Sequence, residues 1–305
     1  MSLAVSFEKS APGGTAPVRG REGLMASDLP WQPGFPHWLR ARRRRKLLAG
    51  PFPKAWEAHL QRNVAHYPCL DDAERKLLRD LVLVFSEEKH WEGCGGLAIT
   101  DEIRVTIAAE ACLLVLALPH QLYRNVQSIL VYPSTVVTPE RPLGAFDVPM
   151  KPVSGPLPVL GEAQLRGPVI LVWDAVKRTG HHPECGHNVV YHEFAHKLDM
   201  LDGSADGTPP LHDHAEYARW NRVCSREYRA LRERAEHGKH GLLDPYGATN
   251  EAEFFAVMTE LFFDKPVALR RQHRELYDVL KAFYRQDPAQ RAKACKPPPG
   301  PRSQD

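Results

Sequence analysis

No run in these 305 residues is apolar for long enough to cross a bilayer. The longest, Ala111 to Leu118, falls well short of the roughly 20 residues a spanning helix needs. A secretory leader is not expected either, because Met1 to Gly20 is polar and rich in small residues, with no apolar central region. Excess charge of one sign is also missing. The 40 Lys and Arg residues against 37 Asp and Glu leave a net charge of +3, too small to point to a polyanionic or polycationic partner. Six cysteines (Cys69, Cys94, Cys112, Cys185, Cys224, Cys295) lie far apart with no C-x-x-C pair, so neither a disulfide framework nor a thiolate zinc site is expected. A reducing cytoplasm is the simplest home for such a chain. No internal repeat is evident.

With 43% hydrophobic and 25% charged residues, the chain can bury a sizeable core. Residues 1–30 carry Pro, Gly and Ser with little periodicity and read as a disordered tail, as do residues 291–305. Between them, residues 31–290 form the folded unit, with a helical N-terminal part (31–125) and a part bearing the chemistry (126–290). Asp71 and Glu74 have the spacing of a capping box, followed by the apolar face Leu77, Leu78, Leu81 and Phe85. A second helix runs from about Asp101 to Leu118, and Val126 to Val131 reads as a strand stopped by Pro133. Thr138 to Pro158, with six prolines, is a loop or linker. Asp213 to Glu236 is a long charged helix with Tyr217, Trp220, Cys224 and Tyr228 roughly along one side.

The segment His192-Glu193-Phe194-Ala195-His196 is a complete H-E-x-x-H signature. On a helix, residues four apart share a face, so His192 and His196 can offer two imidazole nitrogens to one ion while Glu193 projects beside them. Zinc with three protein ligands and an open position lowers the pKa of a water to about 7, and a neighbouring carboxylate can take the proton. The competing reading is an amphipathic surface helix that carries two histidines by coincidence. Val190, Phe194, Leu198 and Leu201 supply an apolar stripe, Asn188 an N-cap and Gly203 a stop, which favours the metal helix.

Spacing leaves the third ligand open. Asp202 lies six residues past His196, but the glycine that would turn the chain is missing, and Asp199 stands in its place. Glu253 belongs to a second helical pattern whose apolar face is Phe254, Val257, Met258 and Leu261. There it reads equally well as a ligand or as the N3 partner of an Asn250 cap. Asp199 and Asp202 are also candidates to accept the second N–H of a ligating histidine.

Three further features read blandly. The basic run from Arg40 through Arg42–Lys46 is a solvated helix or arm rather than a nucleic-acid contact, because no helix-turn-helix pattern or interleaved aromatics accompany it. The cluster His181, His182, Cys185 and His187 departs from tetrahedral-site spacing and reads as a polar loop. His212 and His214 flank Asp213 at a helix entry.

The stretches Tyr191 to Asp199 (YHEFAHKLD) and Tyr246 to Phe263 (YGATNEAEFFAVMTELFF) resemble the Mlc titration factor A family of bacterial zinc-dependent peptidases. The likeness extends through Glu102 to Leu118, Val131-Tyr132-Pro133 and Gly167 to Asp174, and so covers most of residues 45–290. It implies a helix-rich α/β (α+β) zincin-like fold with a small sheet bordering the H-E-x-x-H helix, Gly167 to Trp173 being the candidate bordering strand. It also implies one Zn2+ per chain, held by His192, His196 and Glu253. Tyr246 occupies the position of a family tyrosine, able to donate to a developing oxyanion or simply to sit in a turn between Pro245 and Gly247. The activity implied is hydrolysis of peptide bonds with Glu193 as general base, including aminopeptidase-type cleavage of short peptides. The rival implication is a regulatory protein that captures a transcription repressor of the Mlc type, its zinc mainly structural. The expected partners are therefore a peptide or protein substrate and such a repressor, with no direct nucleic acid and no membrane.

Overall fold

The computed structural model describes residues 37–118, 123–134, 167–181 and 183–295. The expected tail over residues 1–30, the Thr138 to Pro158 linker and residues 296–305 lie outside it. Three short parallel strands, β1 (His90–Gly93), β2 (Ser128–Tyr132) and β3 (Val169–Val172), pair in that order, with Ile129 opposite both Trp91 and Val169. β2 alternates buried and half-buried residues, placing Ile129 and Val131 in the core. The candidate bordering segment Gly167 to Trp173 is strand only at Val169–Val172; Trp173 already opens the next helix.

Helices supply the bulk of the fold. α1 (His37–Leu48) contains the basic run, and its Arg43 and Arg44 pair with Glu87 and Glu88 at the end of α3 (Asp72–Glu88). Arg44 is buried in doing so, so the run is partly absorbed into packing. α2 is Lys54–Asn63. α3 starts with the expected capping box: Asp71 accepts from the Glu74 N–H at 2.8 Å, and Glu74 accepts from the Asp71 N–H at 3.1 Å. α4 (Asp101–Leu114) ends four residues before the expected Leu118, and eleven of its fourteen residues are buried, so it forms the spine of the core.

α5 (Trp173–His181) returns from β3 and packs closely on α4 at Gly180. A Cβ there would meet the Asn63 carbonyl oxygen and Glu110 Oε1, each at 2.8 Å. Then come α6 (Val189–Asp199), α7 (His214–Glu236), α8 (Glu251–Asp264), α9 (Pro266–Gln272), α10 (Arg274–Tyr284) and α11 (Pro288–Ala294). Every residue of α8 from Phe254 to Phe263 is buried, so the helix is enclosed on all sides rather than along a single stripe. Among the described residues no helix is long and apolar enough to cross a membrane.

The cysteine expectation is overturned. Cys69 and Cys295 form a disulfide across 226 residues, bringing the end of α11 to the short 3-10 turn Tyr67–Cys69 before α3. Spacing could not reveal this, because it depends on how α11 docks; Arg291 of that helix reaches Glu74 at 2.7 Å. Residues 291–295 are accordingly helix and disulfide rather than tail, and the argument for a reducing compartment from scattered cysteines falls with the pairing.

Candidate metal centre

Local sequence sets the orientation of α6. Asn188 caps it, its side-chain oxygen accepting from the Val190 and Tyr191 N–H groups at 3.0 Å each, and the 3-10 turn Met200–Asp202 ends it at Gly203, where φ is 100°. One side of the helix is core: Phe194 packs edge-on against Phe85 and Tyr123, and Tyr191 lies against Phe263. Burial of that side leaves His192, Glu193 and His196 half-buried, the two histidines meeting Glu253 in the N-terminal turn of α8.

There Glu253 does both things that spacing allowed. Its backbone N–H donates to the Asn250 side chain at 2.9 Å, closing the α8 cap, while its carboxylate turns to the histidines. Glu253 Oε2 lies 3.0 Å from His192 Nε2 and 3.5 Å from His196 Nε2, and the two nitrogens are 3.3 Å apart. Tetrahedral coordination with bonds of about 2.0–2.1 Å requires ligand–ligand edges of about 3.3–3.4 Å. Yet Glu253 Oε2 is a buried oxygen without a properly directed hydrogen-bond donor. Three converging donor atoms that fail to satisfy one another are what a shared cation would explain, and among the described residues this is the one His/Cys/Asp/Glu group close enough to hold a metal ion. The three side chains keep 17%, 15% and 18% of their exposure, enough for a substrate to reach them.

Sequence reasoning missed the residue behind His192. Glu260, buried on α8, accepts from His192 Nδ1 at 2.7 Å and from the Asn188 backbone N–H at 2.7 Å, joining the imidazole and the start of α6 to one carboxylate. This fixes the His192 tautomer, leaving Nε2 toward Glu253. The available signal was that Glu260 follows Glu253 by seven residues, two turns along the same face. Burial alone would favour a neutral His192, but the neighbouring Glu253 and Glu260 carboxylates push its pKa up to about 10. Burial raises Glu253, yet the two imidazoles beside it win and hold it far below the carboxylate range. Glu193 adds a third carboxylate whose charge reaches His192, Lys197 and Tyr246, so the pocket is acidic and suits a cation.

The two aspartates considered as alternatives do other work. Asp202 Oδ1 accepts from the Ser204 N–H and hydroxyl in an exposed turn. Asp199, fully buried and pushed up to about 6 by that burial, accepts from the Gly207 N–H at 2.9 Å rather than from a histidine. Gly207 needs its φ of +76° and its missing side chain, since a Cβ would lie 2.3 Å from the Glu251 carbonyl oxygen. Asp199 thus holds a loop against the start of α8. Tyr246, in a 3-10 turn over Pro245–Ala248, has its ring centre 5.9 Å from that of His192, and burial with the nearby Glu253 charge raises its phenol to about 12. His187 lies 3.4 Å from Asp244 on the surface, whereas the side chains of His181, His182 and Cys185 lie outside the described residues.

Residues 38–285 match the family described as glucose-regulated metallo-peptidase M90. The chain belongs to that family. Its relatives include the uncharacterized protein slr2042 of Synechocystis sp. (strain ATCC 27184 / PCC 6803 / Kazusa), 36% identical over 261 residues that cover 84% of this chain and 92% of the relative. Proteins named Mlc titration factor A match as well: that of Edwardsiella ictaluri is 34% identical and that of Serratia proteamaculans 32%, each alignment covering 73% of this chain and 84% of the relative. Membership of the M90 metallo-peptidases fits a helix-rich chain with a small parallel sheet, and it calls for a metal ion, for which the His192, His196 and Glu253 group offers suitable donors.

Proposed function

We propose that this chain is a zinc-dependent peptidase in which His192, His196 and Glu253 hold the ion and Glu193 is the general base. The observation that carries this reading is the convergence of two imidazole nitrogens and one carboxylate oxygen at 3.0, 3.3 and 3.5 Å, with that oxygen otherwise unsatisfied. Two nitrogen donors and one oxygen donor with room for a fourth position are the donor set of a hydrolytic zinc site rather than of a closed structural one. When bound, the ion supplies Lewis acidity, polarising a peptide carbonyl and acidifying a water.

The chain's own residues do the rest. Glu193 has no hydrogen-bond or ion-pair partner among the described residues, so its carboxylate is available to take a proton from the attacking water and return it to the leaving amine. The Tyr246 phenol, on the same side of His192, is a neutral donor for the oxyanion that develops on the substrate. Glu260 and Asn188 keep His192 in register by holding its ring and the first turn of α6 together. Aminopeptidase-type cleavage of short peptides in the cytoplasm completes this reading.

The test is metal content and peptide hydrolysis measured on wild type, Glu193→Gln and Glu253→Ala. Glu193→Gln is expected to retain about one zinc per chain while turnover falls on the order of 100- to 10,000-fold, and Glu253→Ala to lose the metal. Equal turnover by Glu193→Gln and wild type would refute the peptidase reading. It would favour the second one, supported by relatives named Mlc titration factor A, in which the chain captures a repressor.

A further inference from the structure

α9, α10 and α11 line an open cavity of about 460 Å3 that shares no residue with the metal centre. Its wall carries Arg270, Arg271, Arg274, Lys281 and Lys293, contributed by all three helices. Only two acids face them, Asp278 and Asp287, and Asp287 is already engaged, accepting from the Tyr277 hydroxyl and from Lys281 Nζ at 2.6 Å each. Arg271, Arg274 and Lys293 have no hydrogen-bond or ion-pair partner among the described residues, and Arg270 makes only a cation–π contact with the Tyr277 ring at 5.9 Å. Three arginines within five residues repel one another, and with Asp287 engaged only Asp278 in the wall is left to offset that cost.

We propose that this cavity binds a small, multiply phosphorylated anion. Guanidinium forks match phosphate oxygens two at a time, and like charges gathered on a concave wall reinforce one another's field. The volume lies in the range of small-molecule sites, and contributions from three helices suit a compact anion better than an extended acidic segment. The walls are also held in place. α11 is tied to the Tyr67–Cys69 turn by the Cys69–Cys295 disulfide and to α3 by Arg291–Glu74, so the backbone that carries Lys293 is fixed at the wall without a ligand to order it.

The experiment is calorimetric titration of inorganic pyrophosphate, and separately of sulfate, into the full chain at fixed ionic strength. Metal content is measured before and after, so that chelation at the His192–Glu253 centre is recognised. One pyrophosphate per chain is expected, bound at least tenfold more tightly than sulfate. The exposed double variant Arg271→Ser/Arg274→Ser is expected to weaken it tenfold or more with unchanged metal content and melting temperature, and Lys293→Ser to weaken it through a third helix. Equal affinity for sulfate and pyrophosphate, or binding that neither variant alters, would overturn the site. Tighter binding of a polyglutamate peptide than of pyrophosphate would overturn the ligand class in favour of an acidic protein.

Discussion

Replacing Glu260 probes the link between packing and the proposed metal chemistry. Its carboxylate accepts two charge-assisted hydrogen bonds at 2.7 Å, a half-buried one from His192 Nδ1 and a buried one from the Asn188 N–H. Glu260→Gln keeps one acceptor oxygen but puts an amide N–H2 against the other donor, leaving one buried N–H unpaired at a cost of about 1–3 kcal/mol. The folded protein should therefore lose about that much stability in denaturant titrations. The imidazole loses the partner that anchors Nδ1–H, so the ring is no longer held with Nε2 toward Glu253. Zinc affinity, measured by competition with a chromogenic chelator, is expected to fall about 10- to 100-fold. Turnover at saturating zinc should change far less than in Glu193→Gln, because Glu260 touches no reacting atom. A zinc dissociation constant within twofold of wild type would refute the reasoning, since the carboxylate would then be structural only.

Breaking the disulfide with Cys295→Ser releases a link across 226 residues, worth about 5 kcal/mol by loop entropy and less where the unfolded chain is compact; wild type in reductant should match the variant, and equal stability with and without reductant would refute the link. Lys89 is buried with Nζ donating to the Tyr123 and Val126 carbonyls at 2.8 Å, and burial lowers its pKa from 10.5 to about 8. Between those values the unfolded chain binds the proton more strongly than the folded one, so this group makes stability rise with pH from about 8 to about 10.5. The stability of Lys89→Met relative to wild type should therefore decline by about 3 kcal/mol between pH 7 and pH 10.5, and a pH-independent difference in urea titrations would contradict it.

Much of α6 could be read directly from sequence because its determinants are local. Asn188 at the cap, Gly203 past the end and the stripe through Val190, Phe194 and Leu198 all lie within one helix length, and four-residue spacing alone puts His192 and His196 on a common face. The Asp71–Glu74 box is legible for the same reason. Glu253 was ambiguous because cap and ligand are compatible: the backbone of an N3 residue closes the cap while its side chain is free to point elsewhere.

What only the tertiary structure decided depends on contacts between distant segments. Glu260, rather than Asp199 or Asp202, supports His192 because α8 packs along α6 and brings residue 260 to residue 192 across 68 positions. The Cys69–Cys295 pair and the cationic cavity between α9 and α11 arise from how the last helices fold back on the core. Short-range spacing fixed which residues share a helix face; helix docking, driven by burial of the Phe194, Tyr191 and Phe263 surfaces, decided what those faces meet.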